Sequence, residues 1–126
     1  MKKNYFLFRN VLLGLFLTTT LLAYSQEIYQ GADAEKILNG ASVLRTSKHS
    51  DVPSYVALKP GHEVDPSSFI LWLQKNFKIH SSISFSLIKS SKDKIGMTHN
   101  KFQQEINGQP IRNGQVIAHI KDGKVV

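Results

Sequence analysis

Two turn dipeptides near the end of the sequence, Asn107-Gly108 and Asp122-Gly123, constrain this chain more than any other feature. Each joins two residues that accept a positive φ at low cost, which is what a two-residue hairpin loop requires. The runs between and before them are strand-like. From Met97 to Ile106, Phe102 and Ile106 fall on one parity and His99, Lys101 and Gln103 on the other. From Gln115 to Lys121, Val116, Ala118 and Ile120 oppose Ile117 and His119. A strand sends alternate side chains to opposite faces, so Phe102 and Ile106 are expected to share a buried face with Val116 and Ile120. The same parity lets His99 and His119 face each other.

Upstream of this ribbon lies the best helix signal. Asp65 suits an N-cap and Pro66 the first helical position, where its missing N–H costs nothing. Phe69, Trp72, Leu73 and Phe77 recur at i, i+3, i+4 and i+8, with Ile70 widening the stripe. Ser82 to Lys89 then alternates, with Ile83, Phe85 and Leu87 on one side and serines on the other, and Ser90 to Lys94 is a polar connection. The expected architecture is therefore α+β, one amphipathic helix packed on an antiparallel meander spanning residues 63–126.

The N-terminal part reads differently. Ala32 to Asn39 suggests two helical turns with Ala34, Ile37 and Leu38 on one face and Gly40 as the stop. Ala41 to Thr46 and Ser54 to Lys59 look like short strands. Residues 26–62 are expected to form an extended, peripheral arm.

Residues 1–25 carry the marks of a signal peptide. Lys2, Lys3 and Arg9 precede the apolar run Val11 to Ala23, and Ala23 and Ser25 are small residues ahead of a cut before Gln26. The run is shorter than the ~20 residues of a membrane-spanning helix. The expected destination is secreted or periplasmic, without a stable membrane anchor. No cysteine occurs, so export brings no disulfide and the fold rests on its core.

The 126 residues allow one domain at most. Setting aside the three basic residues of the leader, 13 basic residues face 9 acidic ones, a net charge of +4. The excess is spread along the chain without interleaved aromatics, which argues against nucleic-acid binding. His62-Glu63 is followed by Val64-Asp65-Pro66, so the two-histidine helix of a zinc peptidase is excluded. His99 and His119 without a third ligand make a poor zinc site. There is no Gly-x-Ser-x-Gly, no cysteine nucleophile and no phosphate-binding glycine loop. Nothing in these residues supports catalysis.

A set of ordered positions carries a family resemblance: Gly96, Thr98-His99, Phe102-Gln103-Gln104, Asn107-Gly108, Pro110-Ile111, His119 and Asp122-Gly123-Lys124-Val125. In order and spacing they resemble the fungalysin/thermolysin propeptide (FTP) domain of secreted thermolysin-like zinc metallopeptidase precursors. The sequence departs from the family at Asn100, where an apolar residue is usual, and at Arg112-Asn113, often a small or acidic pair. The resemblance implies a cystatin-like prodomain that is not an enzyme, acting as intramolecular chaperone and inhibitor of a protease domain. It implies no cofactor in this chain, with zinc held only by a downstream catalytic domain. The implied partner is that catalytic domain, in cis; the alternative is a stand-alone secreted inhibitor acting in trans, or a precursor of another exported protein. The residues implied in the family motif or in partner docking are Gly96, Thr98, His99, Phe102, Gln103, Gln104, Gly108, Pro110, His119 and Gly123. Lys124-Val125-Val126 begins a strand too short to pair well, so the sequence is expected to be a fragment that continues into further propeptide.

Overall fold

Strand-forming residues dominate the computed structural model, which describes residues 26–126; the expected leader at 1–25 lies outside the described residues. In chain order the elements are β1 (Gln26–Gln30), α1 (Ala32–Ile37), β2 (Ala41–Ser47), β3 (Ser50–Leu58), a 3-10 turn (Pro66–Ser68), α2 (Phe69–Asn76), β4 (Ile83–Lys92), β5 (Thr98–Ile106), β6 (Gln109–Lys121) and β7 (Lys124–Val125). They form two antiparallel sheets, β1-β2-β3 and β4-β5-β6-β7. The helix-then-meander order is present, but the single-sheet expectation is corrected by the first sheet. None of the described helices is long and apolar enough to cross a membrane.

That first sheet is built where an extended arm was expected. β1 pairs with β2 from Gln26↔Ser47 to Gln30↔Val43, and β2 turns back on β3 through Ser47↔Ser50. A register shift between Ala41 and Val43 inserts one extra residue, so Ala41 and Leu44 reach the same side of the strand despite their odd spacing. With Ala34 and Leu38 they form a core in which Leu44 is 1% exposed. Here two details of the expected helix are corrected. α1 stops at Ile37, and Leu38 is buried from an extended backbone (φ −137°, ψ 114°). Ile37, placed beside it on the expected apolar face, is 54% exposed.

In the second half, Phe69 and Leu73 are buried, and Ile70, Trp72 and Phe77 pack against the same core. The start of the helix differs from expectation. Asp65 makes no side-chain cap; its carbonyl accepts the Ser68 N–H in the 3-10 turn, and its carboxylate pairs with Lys124 of β7. This exposed ion pair contributes at most about 1 kcal/mol.

The meander follows the predicted turns. Asn107-Gly108 and Asp122-Gly123 adopt φ values of 50° and 77° at both sites, and each joins paired strands. Phe102 lies opposite Val116, and Phe102, Val116, Ala118 and Ile120 all contribute to the core. Ile106, expected on that face, is 41% exposed at the hairpin end of the sheet, and Leu87 is 55% exposed on the edge strand β4. Val125 departs furthest from expectation. It is 5% exposed, pairs with Ile120 on one side, and exchanges two backbone hydrogen bonds with Val64 on the other. Two residues suffice for β7 because both edges of the strand are occupied.

The two cores meet at α2. Trp72 and Phe77 pack against both clusters. Trp72 stacks on Phe69 at 6.3 Å between ring centroids and meets Phe77 edge-on at 5.7 Å, while Phe69 touches Phe102 at 5.8 Å. Such pairs add to plain burial because the ring edge and face carry opposite partial charge.

Candidate functional site

The outward side of the second sheet is where the polar motif residues gather. Register pairs His99 with His119 and with Ser91, Lys101 with Lys89 and Ile117, and Gln103 with Gln115, all on the face opposite Phe102. The sequence alternation alone predicts this separation of polar from apolar positions.

At one end of that face three side chains close into a chain. The Asp93 carboxylate accepts backbone N–H groups from Ile95 (3.0 Å) and Met97 (2.9 Å), which folds the turn between β4 and β5 around it. Its other oxygen lies 2.9 Å from His99 Nε2. His99 Nδ1 in turn lies 2.8 Å from His119 Nδ1, with the rings edge-to-face. An ionised carboxylate only accepts, so His99 carries its hydrogen on Nε2 and presents a lone pair at Nδ1; His119 then donates from Nδ1. The hydrogen bond from His99 holds the Asp93 carboxyl below its ordinary value, aided by the Met97 and Ile95 amides and opposed by burial. Burial, and then the neighbouring His99, pushes the His119 imidazole below its ordinary value.

At the other end Gln103 closes a break in the ladder. The β5–β6 register passes from Gln103↔Gln115 to Glu105↔Pro110, so Gln104 alone faces residues 111–114. The Gln103 amide nitrogen donates into this bulge, 2.8 Å from the Ile111 carbonyl, 3.1 Å from that of Gly114 and 3.0 Å from that of Gln104. A Cβ on Gly114 would sit 2.9 Å from the Ile111 Cβ, so the bulge needs glycine there. Asn113 adopts φ 60°, a conformation asparagine tolerates better than most residues, which suits the second residue of the Arg112-Asn113 departure. Asn100, the other departure, accepts a hydrogen bond from the Ser90 hydroxyl at 2.7 Å. Replacing Gln103 by leucine is expected to destabilise the domain by about 1–3 kcal/mol, because part-buried carbonyls lose their donor. A urea titration showing a change under about 0.5 kcal/mol, the range of an ordinary surface substitution, would contradict this role.

The other motif residues have architectural places. Gly96 (φ 86°) completes the Asp93 turn, Gly108 and Gly123 complete the hairpins, and Pro110 pairs with Glu105. Thr98 lies between Lys92 and Ile120, and Phe102 is in the core. These ten residues therefore do not converge on one pocket. Asp93 is the member of the polar chain that sequence reasoning passed over. Its signal was an aspartate three residues before a glycine, the usual composition of a side-chain-to-backbone turn. Between the two sheets, β3, α2 and β6 border an apolar groove of about 390 Å³ that includes Tyr55, Trp72, Ile117 and His119. No group of three or more His, Cys, Asp or Glu residues that could hold a metal ion occurs among the described residues.

Comparison with known proteins agrees with the motif reading. Residues 84–126 match the family model described as Fungalysin/Thermolysin Propeptide Motif. No curated protein and no solved structure gives a match to the chain. The matched segment begins in β4 and takes in the Asp93–His99–His119 chain, the Gln103 bulge and both hairpin turns.

Proposed function

With that match as premise, we propose that the chain is the non-catalytic propeptide region of a secreted thermolysin- or fungalysin-like metallopeptidase precursor. It assists folding of the protease domain and holds that domain inactive until it is removed. The observation that carries this reading is the match over 84–126. The local chemistry agrees with it: the polar motif side chains are engaged with one another or with backbone carbonyls. Docking uses the outward face bearing His99, Lys101, Gln103 and His119, together with the open length of β6 that β7 does not cover. The leader at 1–25, export, and zinc held by the partner domain belong to the same proposal.

The test is to refold a thermolysin-like catalytic domain, stripped of its own propeptide, with and without this chain. The expected result is a higher yield of folded protease whose peptidase activity stays suppressed while the chain is bound. Lys101→Glu on the outward face is expected to weaken that suppression by about tenfold, the loss of one close charge interaction of roughly 1.4 kcal/mol. No change in yield and no inhibition at micromolar chain would sink the proposal. Inhibition without a gain in yield would move the role to an inhibitor acting in trans.

A further inference from the structure

The imidazole pair allows an inference that stands independently of the propeptide reading. Two ring nitrogens facing each other at 2.8 Å have room for one hydrogen between them. With Asp93 ionised, the neutral pair satisfies this: His99 donates Nε2–H to Asp93, and His119 donates Nδ1–H to His99. One added proton is tolerated. It goes to His119 Nε2, outside the contact, and leaves the Nδ1–H···Nδ1 bond in place. A second added proton has only His99 Nδ1 left. That would set two N–H groups and two positive charges against each other, and the contact must break.

We propose that Asp93, His99 and His119 form an acid-released clasp, closed with at most one proton added to the imidazole pair and open with two. Its position gives it leverage. Asp93 organises the β4–β5 turn, His99 lies on β5 and His119 on β6, and the His119 carbonyl accepts the Val126 N–H at 3.0 Å. The groups around it set the balance. From the turn, the Asp93 carboxylate accepts the His99 Nε2–H at 2.9 Å. Lys89 on β4, Lys101 on β5 and Lys121 on β6 share the face and oppose added charge, while Ser91, directly across from His99, is neutral. The sign follows from the lowered His119 value. At His119 the folded state binds fewer protons than the unfolded one, so this group's contribution to stability is complete above about 6.5, the ordinary imidazole value, and is lost as pH falls through its lowered value, while the contact itself opens only with the second proton. Asp93 adds a second loss that begins only near its ordinary value of 3.8.

The experiment is nitrogen-detected NMR of the imidazoles in the purified chain from pH 7.5 down to 4, with amide exchange measured over β6 and β7. At neutral pH His99 is expected as the Nε2–H tautomer and His119 as the Nδ1–H tautomer. On acidification the pair is expected to titrate in two steps more than about one pH unit apart, as coupled groups do. Amide protection around His119 to Val126 should fall by about tenfold, one pH unit's worth of linkage, with the second step. His119→Gln retains a donor toward His99 and carries no titrating group, so it should abolish that acid-linked fall in protection. If wild-type His99 and His119 titrate independently with unchanged protection, the clasp is refuted; it is equally refuted if His119→Gln opens with an unaltered pH profile. Should His119→Gln fail to fold, the wild-type tautomers and titration steps decide the matter alone.

Discussion

Trp72→Ala is expected to destabilise the domain by about 3–5 kcal/mol, the cost of deleting a large aromatic that packs, partly buried, against a hydrophobic core. Small domains have only about 5–15 kcal/mol to lose, so the variant should be close to unfolding. The reason is position more than size. Trp72 packs against both hydrophobic clusters, and its ring contacts both Phe69 and Phe77. Truncation therefore opens a cavity where the two cores meet. His99→Ala, on the outward face at neutral pH, is expected to cost far less, since it removes part of a half-exposed hydrogen-bonded chain. Urea titrations of the two variants make the comparison. If His99→Ala proved the more damaging, the helix would not be the element that joins the layers.

Leu44→Ala is the second large effect, expected at about 2–5 kcal/mol for a fully enclosed aliphatic side chain. Leu44 is 1% exposed and is the largest fully buried side chain among the described residues. The core it shares with Ala34, Leu38 and Ala41 is completed by the partly buried Tyr29, Val56, Trp72 and Phe77. Because Trp72 and Phe77 are shared between the cores, the loss should shift one cooperative transition for the whole domain. A biphasic curve, in which the β1-β2-β3 sheet melts first and α2 with the second sheet persists, would mean that the cores are energetically separate.

Much of the second sheet was legible in the residues. Asn-Gly and Asp-Gly demand positive φ wherever they stand, and strict alternation in β5 and β6 is enough to place Phe102, Val116 and Ile120 inward and His99 and His119 outward. The helical stripe of Phe69, Leu73 and their neighbours was equally plain, since 3.6-residue spacing survives any packing arrangement. The motif positions pointed to the propeptide family, and the match over 84–126 agrees.

What the local pattern could not carry is everything that depends on a distant partner. The β-bulge at Ala41–Val43 breaks the alternation of β2, so a buried strand resembles a peripheral arm until β1 and β3 are seen beside it. Val125 reads as a stray apolar residue until Val64, far upstream in the chain, satisfies its backbone from the other side. Asp65 has the right composition to cap a helix, yet Lys124 takes its carboxylate across the fold. The proton arrangement of the histidine pair needs Asp93, whose reach is decided by how the β4–β5 turn folds. Side-chain period and turn chemistry are properties of neighbouring residues, so the sequence alone determined them. Which edges pair, which charges meet and which proton lies between two rings depend on the closing of loops, and only the tertiary structure decided those.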